Sequence, residues 1–350
     1  MLYRECRFNA AAEIIREVDP SLTSGRIFQI LGGLNMQLCK MEIKNTPFYI
    51  IEGCCPKLSF DVFFKHFDIK YDECNVKDLI ENFEPDKYIY VIPIANMLLE
   101  NENKLDFSDR NMGMSLIGHS YAIIKKIDFE NKKIILKGLS LINDNTERWI
   151  SLELYNNIIE EIESEIYSLK IHCISKKELQ KNQTLQNSIK ENELDTISKN
   201  LTNALKDEIS SLDNATLKGQ QVYTMLCQYV EGLLKLYKKN NQDIRIEKYI
   251  RMQLVYFRFF VASGTDTFYR EEFIHSLEES ISLNEKFPID EWKVICSKWR
   301  KIGRLFSILH NKFTVSRLEE LLNNLNYIRE KEPYLINKTI SCLSDYKAYE

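Results

Sequence analysis

Residues Ser115–Leu136 read SLIGHSYAIIKKIDFENKKIIL. YAIIKKI and KIILKGL are β-branched runs of strand length. The charged turn Asp128–Lys132 separates them, so the stretch predicts a β-hairpin. One histidine, His119, stands at the head of the first strand. A hairpin places the first half of the chain among sheet-containing folds, and the histidine raises the question of what partner it serves.

The flanking sequence mixes helix and strand signals. Asn9 to Val18 has helical spacing and is closed by Asp19-Pro20. RIFQILGGLNM, within Ser24–Met36, is apolar and carries the paired glycines Gly32 and Gly33, which mark a turn or a helix end. FYIIEG (Phe48–Gly53) and KYIYVIPI (Lys87–Ile94) read as strands, and Ser151–Ser164 as an acidic helix. The polar stretch Lys176–Asp195 lacks Gly and Pro and is an exposed helix or a linker. Beyond it strand signals stop, and long segments such as IDEWKVICSKWRKIGRLFSILH have apolar residues at helical spacing. The expected organisation is an α+β domain over 1–175, a polar connection over 176–198 and an all-α helical bundle over 199–350.

Composition bounds the function. The 350 residues are 44% hydrophobic and 28% charged, as in a soluble globular protein. A net charge of -4 gives no electrostatic basis for binding nucleic acid or an anionic membrane. The first residues carry charges throughout, and no run is long enough to span a bilayer, so a cytoplasmic location is expected. Nine cysteines lie at irregular spacing without paired CxxC units, which speaks against a zinc site. His66, His172, His275 and His310 lack ligand spacing, and no phosphate-binding glycine loop is present. Neither metal nor organic cofactor is expected. The run Glu160, Glu161, Glu163 and Glu165 reads as a solvated helix face.

The candidate partner of His119 is Cys6, at the start of the first helix. Backbone N–H groups and the helix dipole there favour a thiolate, and a nearby imidazole would favour it further. Either residue alone has an ordinary structural reading. Together, a cysteine opening an early helix and a histidine opening a later strand have the order and settings of papain-like enzymes. Cys39, Cys54, Cys55 and Cys74 are rival thiols. Cys54-Cys55 ranks below Cys6 because no helix begins there.

These motifs, in this order, resemble the N-terminal domain of the butirosin-biosynthesis type of acyltransferase, a papain-like fold related to bacteriocin-processing (C39) peptidases. The likeness rests on Cys6, IFQILGGLNM, IYVIPIANMLL, GHSYAIIKKID, KKIILKG and ISLELYNNI. VYFRFFVAS, DTFYREEF and DEWKVICSKW are similar in kind to the family's helical region. The resemblance implies acyl transfer from a carrier-protein phosphopantetheine thioester to the cysteine, then to a small amine or diamine. Amide-forming enzymes of thiotemplated polythioamide assembly are similar in kind. It also implies a residue that orients His119. The usual place for it holds Leu136-Lys137-Gly138, so Asp144, and next to it Asn143, are the candidates. Peptidases of this kind carry a glutamine before the cysteine, and none stands in Met1–Glu5; the Cys6 amide, Asn9 or Arg4 would bind the oxyanion instead. Tyr256, Phe257, Arg258, Phe259 and Phe260 are candidate acyl-tunnel residues, although an aromatic run on a bundle helix is more simply core. Two other readings use the same chain: a cysteine peptidase cutting a leader peptide, and a non-catalytic scaffold that docks carrier proteins. The helical half has enough aromatic surface for a homodimer.

Overall fold

A computed structural model describes residues 6–43, 46–54, 60–93, 121–137, 148–152, 171–209, 216–240, 243–261, 267–280 and 287–349. The chain is mixed α+β, with antiparallel sheets and a helical C-terminal region. It divides into two units. The first holds Met1–Ile27 and Lys57–Lys190, and the second holds Phe28–Pro56 and Glu191–Glu350. The division is therefore not sequential, as the expected domains over 1–175 and 199–350 joined by 176–198 would be. The segment Phe28–Pro56 belongs with the C-terminal region.

In the first unit, α1 (Cys6–Val18), α3 (Phe60–His66) and α4 (Val76–Glu81) accompany a sheet of six strands in the order β3-β8-β4-β5-β6-β7. These are β3 (Asp72–Cys74), β4 (Tyr88–Pro93), β5 (Tyr121–Asp128), β6 (Lys133–Lys137), β7 (Arg148–Ser151) and β8 (Ile171–Ser175). Every pairing is antiparallel. The hairpin read from the sequence is β5–β6. Its turn is tied by the Asp128 carboxylate, which accepts from the Asn131 backbone at 3.0 Å and from its side chain at 2.9 Å. A bulge between Ile124 and Lys126 lets Ile124 and Ile127, three residues apart, face the same way. That face, with Tyr90, Ile92, Ala122, Ile134, Leu136, Ile150 and Ile171, forms one core with Val76 and Leu79 of α4. The opposite face carries Ile89, Val91, Ile123 and Ile174, all buried.

The polar stretch after β8 is helical. It forms α5 (Lys176–Leu179), α6 (Gln183–Lys190) and, in the second unit, the first turns of α7 (Glu193–Leu205). Ser175, Asn182 and Asn192 accept from Glu178, Leu185 and Asp195 backbone amides, as side-chain caps do. Few apolar residues are needed: Leu179, Leu185, Leu194 and Ile197 are buried.

The helix α2 (Ser24–Ile30) carries the boundary between the units and ends at the paired glycines. The Gly32 amide donates to Gln29 O and the Gly33 amide to Phe28 O, with φ of 109° and 62°. This is a Schellman close, which glycine adopts without a Cβ clash. The second unit then contains a hairpin, β1 (Leu34–Ile43) and β2 (Thr46–Cys54), in a four-stranded sheet β2-β1-β10-β9. The two further strands, β9 (Glu208–Ile209) and β10 (Thr216–Lys218), come from the C-terminal half. The expectation of an all-α second half is corrected here. Strands of two and three residues are too short to leave a periodic signal, and only pairing with β1 makes them visible. The helices are α8 (Gln220–Lys239), α9 (Ile244–Val261), α10 (Arg270–Ser280), α11 (Ile289–Asn311) and α12 (Val315–Tyr349). Trp292, Ile295, Trp299, Ile302, Phe306 and Leu309 bury one stripe of α11 at helical spacing. Phe257 is buried and stacks on Phe306 at 5.6 Å, which is the core reading of its aromatic run at that position.

The predicted acidic helix falls mostly outside the described residues, as do Glu160, Glu161, Glu163 and Glu165. No helix among the described residues is long and apolar enough to cross a membrane.

Candidate active site

The helix that carries Cys6 is built for the interior. Phe8, Asn9, Ala10, Ala11, Ala12, Ile14 and Ile15 are all buried. Consecutive buried positions run round the helix, the pattern of a core helix rather than a surface one. The three alanines allow neighbours to approach closely, and α1 packs against β5.

Two ion pairs fix the sense of α1 across the sheet. Glu13 pairs with Lys137, the last residue of β6, which lies opposite Ile123 near the start of β5. One turn further on, Glu17 pairs with Lys176 at 3.5 Å. The Lys176 amide donates to Lys87 O at 3.0 Å, just before β4. Lys87 is four residues before Val91, the strand partner of Ile123, or about 13 Å along the strands. The Glu13 end of α1 thus lies toward the end of the sheet where β5 begins, and the Glu17 end toward the one where β4 begins. From Glu13 back to Cys6 is about 10 Å of helix in the same direction.

At that end of the sheet β4 stops at Pro93 and β6 at Lys137, while β5 starts at Tyr121 and β7 at Arg148. His119 precedes β5 by two residues, and Asn143 and Asp144 lie between β6 and β7. His119, Asn143, Asp144 and Arg4 lie outside the described residues, and of Cys6 only the backbone within α1 is described. What the described fold brings together is the first turn of α1, the start of β5, the end of β6 and the start of β7, all at one end of one sheet. Asn9 is buried one turn along α1 from Cys6. No acidic residue stands in the first turn of α1.

The rival thiols belong to other segments of the chain. Cys39 and Cys54 are in β1 and β2, in the second unit, and Cys55 is outside the described residues. Cys74 is in the edge strand β3, and its thiol meets that of Cys173. Among the other histidines, His275 faces Glu278 at 3.2 Å on the surface, and the ring of His66 stands edge-on to Phe67. His172 is different. Its ring stacks on Tyr71 at 4.3 Å, meets Phe64 edge-on at 5.4 Å and lies 6.4 Å from Tyr121. It pairs with Val91 across the β8–β4 ladder, on the face that carries Ile123. A second imidazole with aromatic walls is therefore close to the start of β5. Spacing within the sequence could not reveal it, because α3, the residue before β3, β8 and β5 each contribute one ring. Among the described residues no group of three or more His, Cys, Asp and Glu is placed to hold a metal ion.

No protein-family model matches this chain, and no curated protein matches it.

Proposed function

We propose that the chain is a cysteine-dependent, amide-forming acyltransferase with a papain-like first unit, using Cys6 as nucleophile and His119 as base. The observation that supports this reading is the sheet end shared by the first turn of α1, the start of β5, the end of β6 and the start of β7. His119 takes the Cys6 proton, or holds the ready-made thiolate as an ion pair. The thiolate attacks the carbonyl of a carrier-bound thioester. The tetrahedral intermediate collapses, the C–S bond to phosphopantetheine breaks, and that thiol leaves with the proton. An amine then attacks the Cys6 acyl carbon, the new C–N bond forms, and Cys6 departs as thiolate while His119 takes the amine proton. Asp144 or Asn143 orients the imidazole. The Cys6 amide, Asn9 or Arg4 stabilises the oxyanion; thioesters are activated acyl donors and demand less of this help than amides. The substrates are an acyl or peptidyl carrier protein and a small amine or diamine.

The test is acylation of the purified chain by a phosphopantetheinylated carrier loaded with a simple acyl group, read by intact mass. Expected is one acyl mass that is absent in Cys6→Ala, strongly reduced in His119→Ala, and discharged by added amine as amide. Acyl mass that persists in Cys6→Ala would sink the assignment. Turnover by water alone, with leader peptides cleaved, would favour a peptidase, and an inert Cys6 a docking scaffold.

A further inference from the structure

In the first unit β3 is an edge strand of three residues, paired among the described residues with β8 alone. The register sets Asp72 opposite Cys173 and Cys74 opposite Ile171. Cys74 and Cys173 are therefore diagonal neighbours on one face of the sheet, and their thiols meet at 2.9 Å, Sγ to Sγ. Diagonal side chains across a ladder do not meet by default. Here the pair is partly buried at the sheet edge, unlike the buried thiols Cys227 and Cys296 of the second unit.

From this contact we propose that Cys74 and Cys173 form a reversible redox pair, oxidised by thiol–disulfide exchange with a small disulfide of the glutathione class. The site is separate from the Cys6 chemistry: both sulfurs face the α4 side of the sheet, with Tyr90, whereas His172 and Val91 face the other. The two thiols are also unequal. The Cys173 hydrogen bond lowers the pKa of Cys74 against the opposing effects of burial and of Asp78. Cys173 is raised, first by its hydrogen bond with Cys74 and then by burial. Cys74 stands on the edge strand and Cys173 on the strand inside it, so Cys74 is the sulfur that an incoming disulfide meets first.

The exchange balances in two steps. The Cys74 thiolate attacks one sulfur of oxidised glutathione, forming a mixed disulfide and releasing one glutathione thiolate, which takes up a proton. Cys173 then loses its proton and attacks the Cys74 sulfur, forming the intramolecular bond and releasing the second glutathione. Two protein thiols are oxidised and one glutathione disulfide is reduced to two thiols. The product fastens β3 to β8 by closing a loop across 99 positions of sequence. That should move the unfolding midpoint of the first unit upward and reverse with dithiothreitol.

The experiment incubates the full folded chain in glutathione buffers of graded redox poise, followed by acid quench, alkylation and peptide mapping. Expected is a linked peptide pair containing Cys74 and Cys173, formed before any other disulfide. Cys173→Ser should trap glutathione on Cys74. In Cys74→Ser, glutathionylation of Cys173 should be slower than that of Cys74 in Cys173→Ser, because Cys173 lies on the strand inside the edge. The wild-type arm does not depend on the variants' folding, and circular dichroism checks each serine variant. Full alkylation of both thiols under oxidising glutathione overturns the proposal. So does a disulfide from either of them to a different cysteine, or a glutathione on wild-type Cys74 that Cys173 fails to displace.

Discussion

The two units use charge in opposite ways. In the second, Arg270 and Glu332 are 1% and 0% exposed, and the polar atoms around them are thoroughly employed. Glu332 accepts from Arg270 Nε at 2.7 Å, from Tyr223 at 3.1 Å and from Trp299 Nε1 at 2.7 Å. Arg270 also donates to the carbonyls of Gly53 and Phe268. The network joins β2, α8, α10, α11 and α12, and its members occupy one another rather than a ligand. In the first unit, the ion pairs that orient α1 are partly exposed: Lys137 is 53% open and Glu13 22%. They steer a helix that burial already holds. A desolvated pair with its hydrogen bonds filled marks a structural centre, whereas half-exposed pairs contribute little and only steer what burial holds.

Three substitutions probe that contrast, beyond the acylation and redox experiments above. The largest effect should come from Glu332→Ala, which strands the Arg270 charge and two further donors in a dry site. Breaking a buried pair on one side costs about 3–5 kcal/mol. Urea unfolding followed through Trp292 and Trp299, both in the second unit, in a Trp149→Phe background, reads it directly. A cost below about 1 kcal/mol would break the comparison.

Tyr223→Phe should cost less, about 1–2 kcal/mol for one hydrogen bond to a charged acceptor. It also carries a pH signature. Burial, and after it Glu332, raises Tyr223 well above its ordinary value of 10.0. Protonated tyrosine is thus favoured in the fold. Its contribution is fully present below the unfolded pKa and is lost as pH rises from 10 through the folded value. The wild-type second unit should weaken above pH 10 more steeply than the Tyr223→Phe variant; identical alkaline slopes would refute the placement.

Glu13→Gln should be the smallest. An ion pair with a half-exposed lysine contributes up to about 1 kcal/mol, screened by salt. The expected change in midpoint is slight and vanishes at high ionic strength. A loss as large as that of Glu332→Ala would mean that the α1 pairing is a centre of the same kind, and the distinction between the units would fall.

Local order decided much of this protein in advance. The β5–β6 hairpin follows from two β-branched runs around Asp128–Lys132, and the end of α2 follows from Gly32-Gly33, because strand period and glycine freedom act within a few residues. The helical stripe of α11 is equally plain in the spacing of its tryptophans. Cys6 at the head of a helix and His119 ahead of a strand were visible for the same reason. Tertiary structure decided what depends on distant partners. It assigned the β1–β2 hairpin to the C-terminal unit, since β9 and β10 are strands only by pairing beside it. It also set Cys74 against Cys173, and one end of α1 against the start of β5. No short-range pattern encodes those neighbours: they arise when the chain closes loops of about a hundred residues to bury its apolar faces, and register then decides which side chains meet.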